Sequence, residues 1–351
     1  LWLKANFHAH TKRFGGITDG RNNSVQKLES TYDTLHYNLI GISDYMSINR
    51  SLSHRECYIP IYEHGYNISK IHQLVIGARE VNWLDYPIFQ TLHNKQFVIN
   101  ELSKDADIIA IAHPSKSNAY SPDELVKLEN YTHMEVYTSM HSSTAHWDSL
   151  LSNGKAIFAL GNDDCHDLEK PNHFAYAATL ICSANKDSAS LISALKQGRT
   201  MVVIPIRDYD DNLEKKIKRL WAWDDIALNK FEIQNDSLFL TINKELKNIK
   251  IFGQNGKLIA DRHIPSKTAR LYVGYDWTYL RLELELKSGD RLLLNPVFKI
   301  PTSKLTRNTS EVEPVKTALF RGLSLIVILT LVFLGIRKYR SMRFSATFTN
   351  D

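Results

Sequence analysis

The chain has 351 residues, of which 43% are apolar, 23% charged and 10% aromatic, and its net charge is +5. That balance describes a folded protein with room for more than one domain and excludes a low-complexity chain. Part of the positive excess sits in Arg337, Lys338, Arg340 and Arg343, so no broad basic surface argues for a nucleic-acid partner. Cys57, Cys165 and Cys182 lack the short paired spacing of a zinc knuckle or a disulfide framework.

Taken in chain order, the first informative phrase is NFHAHT, which puts His8 and His10 one residue apart after a short extended run. Alternate residues of a strand face the same side, so both imidazoles can converge on one metal ion. Surface or packing histidines account for such a pair equally well when it is taken alone. Residues 1 to about 208 then alternate β-branched runs with helix-like stretches, the pattern of βα units. The predicted strands are Leu39–Ser43, Gln73–Ala78, Ile108–Ala112, Met134–Tyr137 and Ala156–Leu160. A helix is predicted from Ser121, where Pro122, Asp123 and Glu124 follow a good cap, and another over Ser188–Gly198, ended by its glycine.

Polar groups stand where these strands end: Asp44 after LIGIS, Glu80 after VIGAR, His113 after DIIAIA, Glu135 in HMEVY, and Asp164 with His166 in GNDDCH. In a barrel of parallel strands such positions gather on one face, where metal and substrate sites form. The Cys165 side chain between Asp164 and His166 is expected to point away from that face. Arg79, Lys12 and Arg13 would suit a phosphate ester but read more simply as solvated surface residues.

Beyond Arg207 the texture becomes alternating apolar and polar residues, as in Leu238–Ile242, Ile249–Phe252, Ala269–Val273 and Tyr279–Leu286. Asn255-Gly256 between two such runs signals a hairpin. A small antiparallel β-sandwich is expected over 209–300, then a polar linker over 301–316. The run GLSLIVILTLVFLGI predicts a single transmembrane helix over 317–337. The basic residues after it predict a cytoplasmic tail over 338–351, with the N-terminal domains outside the cytoplasm and a signal sequence removed ahead of Leu1.

The ordered phrases HxHT, SDY, an acidic residue after a strand, AHP, EVY and DxH together resemble the PHP (polymerase and histidinol phosphatase) superfamily over about the first 200 residues. WLKANFHAHT and TYLRLELE…LNPVF are similar to a membrane-associated or exported subgroup with a β-rich C-terminal domain. The resemblance implies an α/β fold, a distorted (β/α)7 barrel over 1–208, that binds two or three divalent metal ions, Zn, Mn or Fe. It assigns His8, His10, Glu80 and Asp164 to a first metal, and Glu80, His93 and His113 to a second. His166 would serve a third, or orient substrate and protonate the leaving group. The family's S/T-D-H phrase is SDY here, so Tyr45 replaces a histidine ligand, and Asp19 or Asp44 would have to compensate.

The function implied is metal-dependent hydrolysis of a small-molecule ester, a phosphoester first, with Glu80, Asp164 and His166 in the reaction. Carboxylic or carbamic ester hydrolysis on the same centre is an alternative, as is a non-catalytic metal-containing binding module at a cell surface.

Overall fold

The computed structural model describes residues 1–14, 19–87, 90–139, 141–170, 173–206, 213–274, 277–299 and 314–347. The N-terminal region contributes β1 (Trp2–Asn6), α1 (Val25–Thr34), β2 (Leu39–Ile40), β3 (Ile61–His64), β4 (Gln73–Ile76), α2 (Leu92–Leu102) and β5 (Ile108–Ile111). It continues with α3 (Pro122–Lys127), β6 (His133–Thr138), β7 (His141–Ser142), α4 (Thr144–Ser152), β8 (Phe158–Asn162), β9 (Ala178–Cys182), α5 (Ser188–Lys196) and β10 (Thr200–Ile204). Next come α6 (Leu213–Trp221), β11 (Leu228–Gln234), β12 (Ser237–Ile242), β13 (Leu246–Gly253), β14 (Lys257–His263) and β15 (Thr268–Tyr272). β16 (Tyr279–Leu286), β17 (Arg291–Leu294), β18 (Val297–Phe298) and α7 (Pro314–Thr347) complete the chain.

Local chemistry explains several boundaries. Ser121 accepts from the Glu124 amide while Glu124 accepts from the Ser121 amide, a capping box with Pro122 at the first helical position. Asn255 and Gly256 both take positive φ, 58° and 66°, which the tight turn between β13 and β14 requires. β4 and β5 are buried at every position because both faces are covered, and they read as continuous apolar runs for that reason.

The strands form three sheets whose ladders, among the described residues, do not by themselves close a barrel, while isolated parallel bridges, Ala9 with Cys165 and Tyr45 with Glu63, link the segment after β1 to the one after β8 and the segment after β2 to β3. Among the described strands, the expectation of a parallel βα series holds for β1 with β2, β5 with β6, and β6 with β8. β3, β4 and β5 are successively antiparallel. That local reversal decides which strand ends reach the site.

The C-terminal strands share a sheet with the N-terminal ones, through antiparallel pairing of β10 with β17. β11, β12 and β15 form a separate three-stranded sheet. Leu238, Leu240 and Ile242 of β12 join Ile249, Ile251, Leu282 and Leu284 in one buried cluster, so the two sheets bury apolar faces together. A buried ion pair also crosses between regions: the Arg281 guanidinium on β16 meets Asp148 on α4 at 2.6 and 2.7 Å. The expected boundary at 208/209 and most of the expected linker lie outside the described residues.

Over Val315–Arg340, α7 is long and apolar enough to cross a membrane, and its apolar stretch is not buried against the protein. At 1.5 Å per residue these 26 residues reach about 39 Å, enough for about 30 Å of hydrocarbon.

Candidate metal centre

Two chain segments are laid side by side to make the centre. Ala9 and Cys165 form a parallel bridge, the His10 amide donates to the Cys165 carbonyl at 3.0 Å, and the Phe7 amide donates to the Asn162 side chain at 2.8 Å. This brings His8 and His10 next to Asp164 and His166 while the Cys165 side chain is buried in the apolar core. Gly20 lies against the same turn, where a Cβ would come within 2.0 Å of the His10 carbonyl oxygen. His113 and Asp164 both hold positive φ, 28° and 51°, a cost that surrounding structure sustains at functional sites.

The structure places Glu63, on β3, at the middle of the cluster. Its Oε2 lies 3.2 Å from both His8 Nε2 and His10 Nε2. Its Oε1 lies 2.7 Å from His72 Nδ1 and 3.0 Å from His113 Nε2. Asp164 Oδ1 stands 3.3 Å from His8 Nε2 and 3.6 Å from His10 Nε2. Three overlapping groups have ligand atoms close enough to share an ion: His8, His10, Glu63 and Asp164; Glu63, His72 and His113; and His10, Asp19 and His166.

The first group fits a cation in two respects. Its separations of 3.2 to 3.6 Å match the ~3.3–3.4 Å edges of tetrahedral ligation at about 2.0–2.1 Å. His8 Nε2, His10 Nε2, Glu63 Oε2 and Asp164 Oδ1 are also all buried and make no hydrogen bond, an arrangement expensive for polar atoms unless something else binds them.

Charge argues the same way. Burial would lower the His8 imidazole, but attraction from Glu135, Glu63 and Asp164 prevails and lifts it to about 10. Burial would likewise raise Glu63, yet His72, His8, His10 and His113 hold its carboxyl well below the usual carboxylate range. Ionised carboxylates so placed call for positive charge, from protons or from a cation that displaces them.

Behind His8, the Glu135 Oε1 atom accepts from His8 Nδ1 at 2.8 Å. Glu135 is itself fixed by the Asn162 side chain and the His113 amide, each at 2.8 Å. It fixes the tautomer and direction of His8, leaving Nε2 to face Glu63 and Asp164. Lys116 Nζ donates to Asp164 Oδ2 at 2.6 Å from a 3₁₀ turn just after His113. Its side chain is 27% exposed, so Lys116 is partly open to solvent.

Of the residues expected at the centre, His8, His10, His113, Asp164, His166 and Asp19 are brought together. Glu80 and His93 are not. Glu80 is exposed, and His93 occupies the first turn of α2, outside the three groups. Because β4 runs antiparallel to β5, the start of β4, next to His72, faces the centre, and its far end, leading to Glu80, points to the opposite pole. Asp44 is committed elsewhere, accepting from the Thr11 amide and hydroxyl at 2.6 Å each. Arg79 is bound to the Lys104 carbonyl on the surface. Glu63 lies on β3, IYEH, a run too short and polar to be predicted as a strand, and His72 stands just before the predicted strand that becomes β4, at the end opposite to the one the strand-end rule points to. In the sequence the available signal is the apolar pair Ile61-Tyr62 followed by adjacent Glu63 and His64 before Gly65, and in the structure all four strand residues are buried.

A scan against protein-family models and a search of curated proteins find no match to the sequence. Among solved structures, the chain is similar to a two-domain protein from Bacteroides vulgatus ATCC 8482 containing a predicted PHP-like metal-dependent phosphoesterase. The identity is 14% and the TM-score 0.46, over 82% of this chain and 91% of that one. It is also similar to a lesion-specific endonuclease from Pyrococcus furiosus, at 15% identity and a TM-score of 0.38, over 56% of each chain.

Proposed function

We propose that this chain is a metal-dependent hydrolase of the PHP type that cleaves phosphate esters and is anchored to a membrane by α7. The observation that carries this reading is the two-sided use of Glu63, one oxygen facing His8 and His10 and the other facing His72 and His113. A carboxylate so flanked would serve both groups of ligands when cations are bound, and imidazole with carboxylate suits Zn, Mn or Fe.

His8, His10, Glu63 and Asp164 would hold one ion, and Glu63, His72 and His113 the other. Such ions, when bound, supply a water of lowered pKa and positive charge beside the oxygens of the attacked ester.

The surrounding side chains then have distinct tasks. Burial would lower the Lys116 pKa, but Asp164, with Glu63 and Glu135, prevails and raises it, so the ammonium keeps its charge and would meet an anionic ester beside Asp164. This charge favours phosphoesters over neutral carboxylic esters. Burial, chiefly, and the neighbouring His10 lower His166, which therefore stands as a neutral imidazole able to hold or pass one proton. Tyr45, stacked on His10 at 4.8 Å, is raised well above its ordinary pKa by burial and by Glu63, Asp164 and Asp19. It serves as a neutral phenol and hydrogen-bond donor, which leaves Asp19 and His166 as the weaker remainder of the third group.

The test is elemental analysis of the full chain in detergent, paired with turnover of an aryl phosphate and an aryl carboxylic ester. Two metals per chain with preferred phosphate turnover, reduced at least tenfold in Lys116→Met at unchanged metal content, are expected. Failure to retain metal after reconstitution with Zn, Mn and Fe would sink the hydrolase reading.

A further inference from the structure

The apolar C-terminal helix is docked onto the body before it leaves. Arg321 sets its guanidinium over the Phe97 ring at 4.2 Å and donates from Nε to the Tyr86 hydroxyl at 3.2 Å. One helix face is in contact there, with Thr317 buried while Val315 and Leu319 on other faces are 72% and 67% exposed, and downstream Leu323, Leu325 and Ile326 are 56%, 56% and 62% exposed. The contacts of Thr317 and Arg321 with the body thus lie just ahead of the uncharged run. A guanidinium belongs at the edge of a bilayer and not in its hydrocarbon. Tyr86 and Phe97 accordingly mark the level of the membrane surface.

Trp83 lies three residues from Tyr86, at most about 11 Å along the chain. It is 62% exposed, and Ile68, Phe14 and Tyr66 nearby in the same region are 71%, 56% and 49% exposed. Phe14, Tyr66 and Trp83 rim a cavity of about 670 Å³ that reaches the metal centre through Tyr45 and His72 and carries Lys70 at its side. The rim is preorganised: Asp85 accepts from the Tyr66 amide at 2.8 Å, the Asn67 side chain at 3.1 Å and the Gln90 side chain at 2.6 Å, and Tyr66 Oη donates to the Trp83 carbonyl at 3.3 Å. Exposed apolar groups that cluster around one cavity mouth mark a contact surface. Tryptophan and tyrosine beside a membrane helix match the interfacial belt, and Lys70 suits an anionic head group.

Resting on the hydrolase and anchor readings above, we infer that the cavity mouth sits on the bilayer surface and admits the head group of a membrane-embedded amphiphilic phosphoester, leaving its apolar part in the lipid.

Two measurements on the metal-loaded full chain in vesicles test this. In the first, phosphatidylcholine brominated near the head group quenches tryptophan fluorescence, and Trp83→Phe is expected to remove most of the quenching. Quenching that persists unchanged in Trp83→Phe overturns the placement. In the second, a phosphoester carried on a bilayer lipid is compared with the same head group on a short soluble chain. Ile68→Asp should slow the bilayer ester at least tenfold and leave the soluble one unchanged. Equal effects on the two esters overturn the inferred substrate class. Should the unmodified chain turn over neither ester, the hydrolase reading and the substrate class fall together, while the quenching still decides the placement.

Discussion

Glu135 and His8 are fully buried partners, 2.8 Å apart from Oε1 to Nδ1, and this contact aims His8 Nε2 at Glu63 and Asp164. Without the carboxylate the ring can rotate or change tautomer. Glu135→Gln should therefore weaken metal binding by about 10–100-fold with the fold retained. Competition with a chromogenic chelator measures it, and unchanged affinity would show that Glu135 has no such role.

Glu63 and Glu80 make a second, opposed pair. Glu63→Gln removes a charge shared by two ligand groups, so elemental analysis should find metal lost from both. Glu80→Gln, at an exposed position, should retain the full complement. The reverse pattern would restore the assignment of Glu80 that the family resemblance implies.

Stability should depend on the ion pair that joins α4 to β16. Arg281 is 2% exposed and bonded through two nitrogens to Asp148, with Glu283 2.8 Å away and Phe252 beneath the guanidinium at 4.1 Å. Asp148→Ala leaves the buried guanidinium with Glu283 as its remaining carboxylate partner and should cost about 2–3 kcal/mol in denaturant unfolding, below the ~3–5 kcal/mol of a fully unpaired buried charge. Replacing both partners with apolar residues should recover most of the loss, because the desolvation of two charges is then avoided.

His133 supplies a pH dependence away from the metal centre. It is fully buried, donates from Nε2 to the Leu195 carbonyl at 3.2 Å, and burial depresses its pKa to about 4. The unfolded chain binds this proton near pH 6.5, so between pH 6.5 and 4 protonation favours unfolding. Its contribution is whole above pH 6.5 and declines as pH falls, by about 3 kcal/mol at pH 4. His133→Gln should flatten that part of the stability profile. An identical acid slope in the variant would assign the dependence to other groups.

Much of this protein is local in origin and was legible in its residues. The HxH pair, the His113 and Asp164 positions, the Ser121 cap, the Asn255-Gly256 turn and the apolar C-terminal run each depend on near neighbours, through strand alternation, turn geometry or hydropathy. Strand direction and pairing are not local. Whether Glu63 or Glu80 reaches His8 is decided by β4 running antiparallel to β5, a reversal set by burial of whole strands. The same holds for β10 pairing with β17, which joins in one sheet regions that composition separates. Asp44 looked like a ligand until the fold brought Thr11 to its oxygens. A side chain's chemistry follows from its identity, but its partners follow from long-range packing, which no short phrase encodes.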